Sequence, residues 1–218
     1  MIADGHMESI ILENGDEVRA SFFVDGTADA KLCQAAGCEL MRGQESRETF
    51  GEPDAPEQPS SKVNAVTLIY RITPREHARV VGEHILTEHD ILAGISRQTD
   101  PDLIALADHA MDRHGEGGGC VELREPYGVP YRCLLPKGID NLLVACRGAS
   151  FSSIAASSCR LSRTMMALGH AAGVACAIAK EKALPLRDVP AGELRETLRS
   201  QHAELDWPRP VSLVESLK

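Results

Sequence analysis

The sequence predicts an α/β chain, with its strands and helices in α+β order over much of the length. Three stretches carry that expectation. Leu142, Leu143, Val144 and Ala145 form a short continuous apolar run of the kind a buried strand makes. A polar loop of small residues follows. Residues 164–179 then place Met165, Met166, Leu168, Val174 and Ile178 among alanines, the pattern of a helix buried on most sides. A second strand, Phe22-Phe23-Val24-Asp25, turns through Gly26-Thr27 into a helix that runs through Leu32 and Cys33 to Gly37.

From the N-terminus, residues 8–12 and 17–24 are rich in Ile, Val and Phe and flank Asn14-Gly15, a short-range hairpin signal. Two such strands are marginal alone and need a further layer. At the following junction Thr27 is placed to cap open N–H groups, and Asp29 falls in the expected first turn. The residues alone leave two readings open here, an ordinary strand–helix junction and a phosphate or ribose site. Residues 42–62 are charged and broken by Pro53, Pro56 and Pro59, as a flexible excursion is. Val66, Leu68, Tyr70 and Ile72 alternate, which predicts a half-buried strand.

Thr73-Pro74-Arg75-Glu76 fits a capping box. Residues 79–86 fit a strand, and Thr87-Glu88-His89-Asp90 then starts a short helix; this second arrangement is preferred. Leu103, Ile104, Leu106, Ala107 and Ala110 predict a short helix over residues 101–111. Residues 127–135 read as a strand, followed by a turn at Pro136-Lys137-Gly138. In the long helix Gly169 and Gly173 lie four apart and share a face. Each costs about 1 kcal/mol against Ala. Close approach of a backbone or cofactor explains them, and so does tight packing of the helix on a sheet. Leu194 and Leu198 mark one face of an amphipathic helix, and Trp207 is a candidate packing anchor.

Composition removes several classes. The chain has 218 residues and a formal net charge of -9, which argues against a nucleic-acid footprint. It has no apolar run of transmembrane length, and its first fifteen residues do not read as a signal peptide. Seven cysteines without CxxC spacing fit buried free thiols in a reducing cytoplasm. His109 and His114 are five apart, unlike the HExxH spacing of a zinc helix, and no metal set is expected.

Several motifs together resemble one family. They are the run YRCLLPKGIDNLLVA over residues 131–145, Ala145-Cys146-Arg147, Ser158-Cys159-Arg160, and MALGHAAG from Met166 to Gly173. They resemble the C-terminal flavin-contacting segment of FAD-dependent oxidoreductases built like glutathione reductase. The closer likeness is to the bacterial group often found with carbohydrate-degrading genes. Residues 24–29 resemble its VDATGD motif, with Gly26 in place of Ala and Ala28 in place of Gly. Residues 75–94 resemble a segment near the substrate cavity, with His77 and Ala78 replacing a small hydroxyl residue and an arginine. Residues 111–114 resemble an MDxH segment, and Tyr131-Arg132 an IPYR segment close to the flavin ring.

The resemblance implies an FAD/NAD(P)-binding-like fold, incomplete here, with part of a mixed-sheet substrate-side domain. It implies cofactor contacts at Asp25, Gly26, Thr27, Asp29, Cys146, Arg147, Ser158 and Gly169. Arg160, His114 and Tyr131 become the catalytic candidates. Where the family's loop usually carries His and Glu, this chain has Ser153 and Ile154. The likeness spans residues 10–200 and corresponds to about the C-terminal half of the family protein. The pyrophosphate fingerprint GxGxxG is not in the sequence.

The expected organisation is the end of an FAD-domain meander over residues 1–41, a substrate-side region over 42–130, the flavin-contacting segment over 131–200, and a tail over 201–218. The expected function is part of an FAD-dependent oxidoreductase acting on a small organic substrate, with weak or absent FAD binding by this chain alone. The expected partner is an N-terminal FAD-domain subunit or a second copy of the chain. The alternative is a catalytically inactive truncated or split-subunit protein that acts through association.

Overall fold

The computed structural model describes residues 1–62, 78–93, 101–112 and 119–208. The strand expected over residues 63–72, the capping box at 73–76 and the candidate His114 lie outside these residues. Two hairpins open the chain. β1 (Ile2–Ala3) pairs antiparallel with β2 (His6–Met7) across Asp4-Gly5, a turn dipeptide that the sequence reading passed over. β3 (Ser9–Ile11) pairs with β4 (Glu17–Arg19), Ile10 opposite Val18. The expected hairpin is therefore present, closed by a hydrogen bond from Leu12 N–H to the Asp16 carbonyl (2.9 Å).

β5 (Phe23–Asp25) then leaves the hairpin and feeds α1 (Lys31–Ala35). β6 (Leu40–Arg42) and β7 (Ala78–Val80) pair antiparallel, with α2 (Arg47–Phe50) between them in sequence. α3 (Glu88–Ala93) is the expected short helix; the Asp90 carboxylate accepts from both the N–H and the hydroxyl of Thr87, each at 2.9 Å. Next come β8 (Leu103–Ala107), β9 (Met111–Asp112), β10 (Cys120–Val121) and β11 (Tyr127–Pro130). β8 pairs with β11 and β9 with β10, both antiparallel.

β12 (Leu142–Val144) runs parallel to β5, Leu142 opposite Phe23 and Val144 opposite Asp25. α4 (Ser153–Ser158), α5 (Ser162–Lys182) and α6 (Ala191–Ser200) follow. The architecture is mixed α/β in α+β order, built among the described residues of small sheets and six α-helices.

Several expectations change. The strand expected over residues 127–135 ends at Pro130, and Tyr131–Leu134 is a 3-10 turn. The helix expected over residues 101–111 is the strand β8. Leu103, Ile104, Ala105 and Ala107 are all buried, since β8 lies beside β11 and packs against α5 and α6. A strand covered on both faces loses the alternation that would mark it, and its apolar run mimics a helix. The excursion over 42–62 is docked, with Glu52 and Ala55 buried. Finally, α5 is covered on one side only. Leu168, Ala171, Ala172, Ala175 and Ala179 are fully buried, yet Met166 is 75% exposed and Gly169 and Gly173 face outward.

Asn141 ties the first hairpin to the parallel pair. Its side-chain oxygen accepts from Met7 N–H at 2.9 Å, and its amide nitrogen donates to the carbonyls of Met7 (2.8 Å) and Ser21 (3.1 Å). Among the described residues no helix is long and apolar enough to cross a membrane, and no His/Cys/Asp/Glu group is placed to hold a metal ion.

Candidate functional site

β5 and β12 end side by side and point the same way, so the loops that follow them meet at one edge. Ala145 N–H donates to the Asp25 carbonyl at 3.0 Å, extending the parallel pairing by one step. The Asp25 carboxylate, 1% exposed, organises the first loop. One oxygen accepts from the N–H (2.9 Å) and the hydroxyl (2.7 Å) of Thr27, and the other from Cys33 N–H (3.0 Å). Thr27 Oγ1 in turn accepts from Lys31 N–H at 2.7 Å. Thr27 thus holds the first N–H of α1, but the helix starts at Lys31 with Ala30 rather than Thr27 at its N-cap, and Asp29 lies before its first turn.

The late start has a local cause. Ala30 sits in the left-handed region at φ 50°, ψ 44°, and is fully buried. Gly148 of the second loop presses against it. A Cβ on Gly148 would lie 2.7 Å from the Ala30 Cβ and 3.0 Å from the Ala78 carbonyl oxygen. Only glycine lets the two loops meet. Gly148→Ala is expected to lower stability by about 1–3 kcal/mol through overpacking; an unchanged urea midpoint would show that the loops part without cost. The departures from the VDATGD pattern are benign by comparison. A Cβ at Gly26 would meet nothing, and Ala28 is not at positive φ.

The second loop starts with Cys146, whose Sγ accepts from Gly148 N–H at 3.3 Å. Burial pushes this thiol up to about 11. Arg147 is exposed beside it. The loop then enters α4, whose start is held from the 42–62 excursion. Ser152 Oγ caps α4 by accepting from Ala155 N–H (3.1 Å), and donates to Glu52 Oε1 (2.5 Å). Ser153 N–H donates to Glu45 Oε2 at 2.8 Å. Arg79 donates to the carbonyls of Phe151 (2.9 Å) and Gly43 (2.7 Å) and to Glu45 Oε1 (2.6 Å).

Behind this clamp lies a second acid. Glu52 Oε1 also accepts from Glu88 N–H at 2.6 Å, while Glu52 Oε2 and Ser153 Oγ are buried with no protein partner. Burial raises the Glu52 carboxyl, and burial together with hydrogen bonding to the Asp54 side chain pushes Glu88 up to about 7. Sequence reasoning missed Glu45, Glu52 and Arg79 as a group. A proline-broken, charged composition carries no mark of which carboxylates turn inward.

The candidate residues separate into two sets. Asp25, Gly26, Thr27, Asp29, Cys146 and Arg147 come together on the two touching loops, and of these Gly26, Thr27 and Arg147 are exposed. Ser158 is fully buried, accepts from the Tyr127 hydroxyl at 2.9 Å and donates to the His109 carbonyl. Tyr131, 2% exposed, donates its hydroxyl to the Leu186 carbonyl at 2.9 Å. Burial drives that phenol well above its ordinary range. Arg160 is half-buried, with Nε on the Ser157 carbonyl at 2.8 Å. Gly169 lies on the open face of α5, where an added Cβ would meet nothing.

The two parallel strands deliver their loops to a common edge, and in open α/β sheets ligands sit beyond the carboxyl ends of such strands. The family model for FAD dependent oxidoreductases matches residues 1–74 and 68–198. The chain belongs to the FAD-dependent oxidoreductase family. No curated protein and no solved structure matches it.

The residues on this edge fit one end of such a cofactor. Residues 26–28 are exposed, open space lies beside Gly26, and Arg147 offers positive charge. These groups suit the polar rim of a flavin ring and the ribityl chain. They do not suit the pyrophosphate, which needs a glycine-rich turn opening directly into a helix. On this edge the helix has five residues and starts behind a left-handed alanine.

Proposed function

We propose that this chain forms the flavin-ring side of an FAD-dependent oxidoreductase that acts on a small organic substrate. The observation that carries this reading is the parallel β5–β12 pair with exposed loop residues at its carboxyl end. The two-electron chemistry is that of FAD when bound. The chain's part is to position and to bias charge. Asp25 and Thr27 fix the first loop, Arg147 contributes positive charge at the edge, and Arg160 is the second candidate cation. Gly148 keeps the loops in contact. Ser158 and Tyr131 act from behind, Ser158 by joining α4 to Tyr127 of β11 and Tyr131 by tying the turn after β11 to the Leu186 carbonyl.

In this reading a complementary segment carries the pyrophosphate and adenine end. The open face of α5 supports it, since Met166, Gly169 and Gly173 form a surface with an apolar and small-residue character suited to close packing. The test is flavin absorbance and fluorescence of the purified chain, followed by titration with FAD, with and without a complementary FAD-domain segment. Weak or absent binding alone and restored binding with the segment are expected. Tight stoichiometric binding by the monomeric chain overturns the division of the site. No binding in either case favours a second reading, a non-catalytic association protein, which the same α5 face supports. That reading requires an oligomer, so sedimentation as a clean monomer would remove it.

A further inference from the structure

Cys33 and Cys38 meet for a reason that lies in the backbone. α1 ends in a closing turn in which Gly37, at φ 74°, donates to the Gln34 carbonyl (3.1 Å) and Cys38 N–H donates to the Cys33 carbonyl (3.0 Å). This six-to-one closure brings the side chains of its first and last residues together, usually as an apolar contact. Here both are thiols. The 3.0 Å bond also caps the separation of the two Cα atoms at roughly 7 Å, the upper end of what a disulfide spans. Glycine at position 37 is what permits the turn, because L side chains rarely adopt its φ.

The two sulfurs differ in setting. Cys33 is fully buried, and its own N–H is held by Asp25 Oδ2 at 3.0 Å; Cys38 is 9% exposed. Hydrogen bonding between the thiols, then burial and the Asp25 charge, push Cys33 far up, while the hydrogen bond from Cys33 holds Cys38 below the usual thiol range. Cys38, the more accessible of the two, is the side from which an external disulfide arrives, and Cys33 is the inner partner. No other pair among the described cysteines shares a turn of this kind.

We infer that Cys33 and Cys38 are a redox-active dithiol that closes to an intramolecular disulfide on meeting a small organic disulfide. The Cys38 thiolate attacks one sulfur of the disulfide, whose S–S bond breaks and releases one thiolate. That thiolate takes the Cys33 proton. The Cys33 sulfur then attacks Cys38 Sγ, the mixed disulfide breaks, and the second thiol leaves after protonation from solvent. The protein loses two electrons and two protons, and one organic disulfide becomes two thiols. Closure locks the turn that holds the Cys33 end of the Asp25 network. It requires no bound flavin, so it stands or falls apart from the functional reading above.

The test uses the full chain, reduced, desalted and exposed to oxidised glutathione, then acid-quenched, alkylated and digested with trypsin. Residues 32–42 form one tryptic peptide that holds both Cys33 and Cys38 and no other cysteine. The expected product is this peptide unalkylated and lighter by two hydrogens, reversed by dithiothreitol. It is expected to form at least about tenfold faster than any modification of the buried Cys133 or Cys159. Cys33→Ser is expected to stop the reaction at a stable glutathione adduct on Cys38. Should that variant not fold, the wild-type time course reads the same step as a transient adduct on the same peptide. Full alkylation of both residues at the rate of Cys133, or a lasting adduct on Cys38 in the wild type, overturns the inference and leaves the pair as packing groups.

Discussion

Arg79→Met is expected to lower the unfolding free energy by about 3–5 kcal/mol, the range for removing one partner of a buried ion pair. The side chains of Arg79 and Glu45 are only 7% and 10% exposed, with 2.6 Å between them. Methionine replaces the volume but none of the donors. The Glu45 carboxylate is then left buried without its cation, and the carbonyls of Phe151 and Gly43 lose a donor each. Lysine is no substitute, because its point charge lacks the planar fork that serves three acceptors at once. The double variant Arg79→Met, Glu45→Met is expected to recover part of the loss, since an apolar pair of similar volume is often neutral. Recovery stays incomplete because Glu45 Oε2 also accepts from Ser153 N–H. Guanidinium chloride titration of the three variants measures this. A loss under about 1 kcal/mol would place the pair in the solvated class.

That cluster also explains what was legible in the sequence. β12, α5, α6 and the β3–β4 hairpin were readable because their signals are local: an apolar run, a helical repeat, a turn between two β-rich stretches. β8 was misread because burial on both faces erases the strand period. The docking of residues 42–62 was invisible for a different reason. Its bonds join Glu52 to Ser152 and Glu45 to Ser153, pairs 100 and 108 residues apart, and nothing in either segment alone predicts the partner. The site divides the same way. Asp25 and Thr27 stand out as candidates because a strand, a turn and a helix start lie within a few residues. Ser158 and Tyr131 are candidates by likeness to a family segment, which fixes a residue's place in the chain but not the direction of its side chain. Both hydroxyls point inward to partners on other elements.

The second large effect is a stability that falls as pH rises toward neutrality. The Glu88 carboxyl, 2% exposed, is pushed from its ordinary 4.5 to about 7, by burial first and by its hydrogen bond with the Asp54 side chain second. Between these values the folded chain holds a proton that the unfolded chain has released. Stability must therefore decline with rising pH across that window and level off above it. The size is roughly 3 kcal/mol for a shift of this order, and Glu52, raised by burial, acts in the same direction. Asp90 works in a different window. Burial opposes its ionisation, but the His84 ring 3.6 Å away and the hydrogen bonds from Thr87 outweigh that and hold it at about 2. Its contribution is present above the ordinary carboxylate range and is lost only as pH falls toward 2. The three groups together place the optimum between about pH 4 and 5. Urea midpoints measured from about pH 4.5 to 7.5 are expected to fall in the wild type and to change far less in Glu88→Gln, whose neutral amide mimics the protonated acid. A wild-type midpoint that rises over this window would mean that Glu88 is ionised in the folded chain, with a cation or water reaching the acid pair beneath α4.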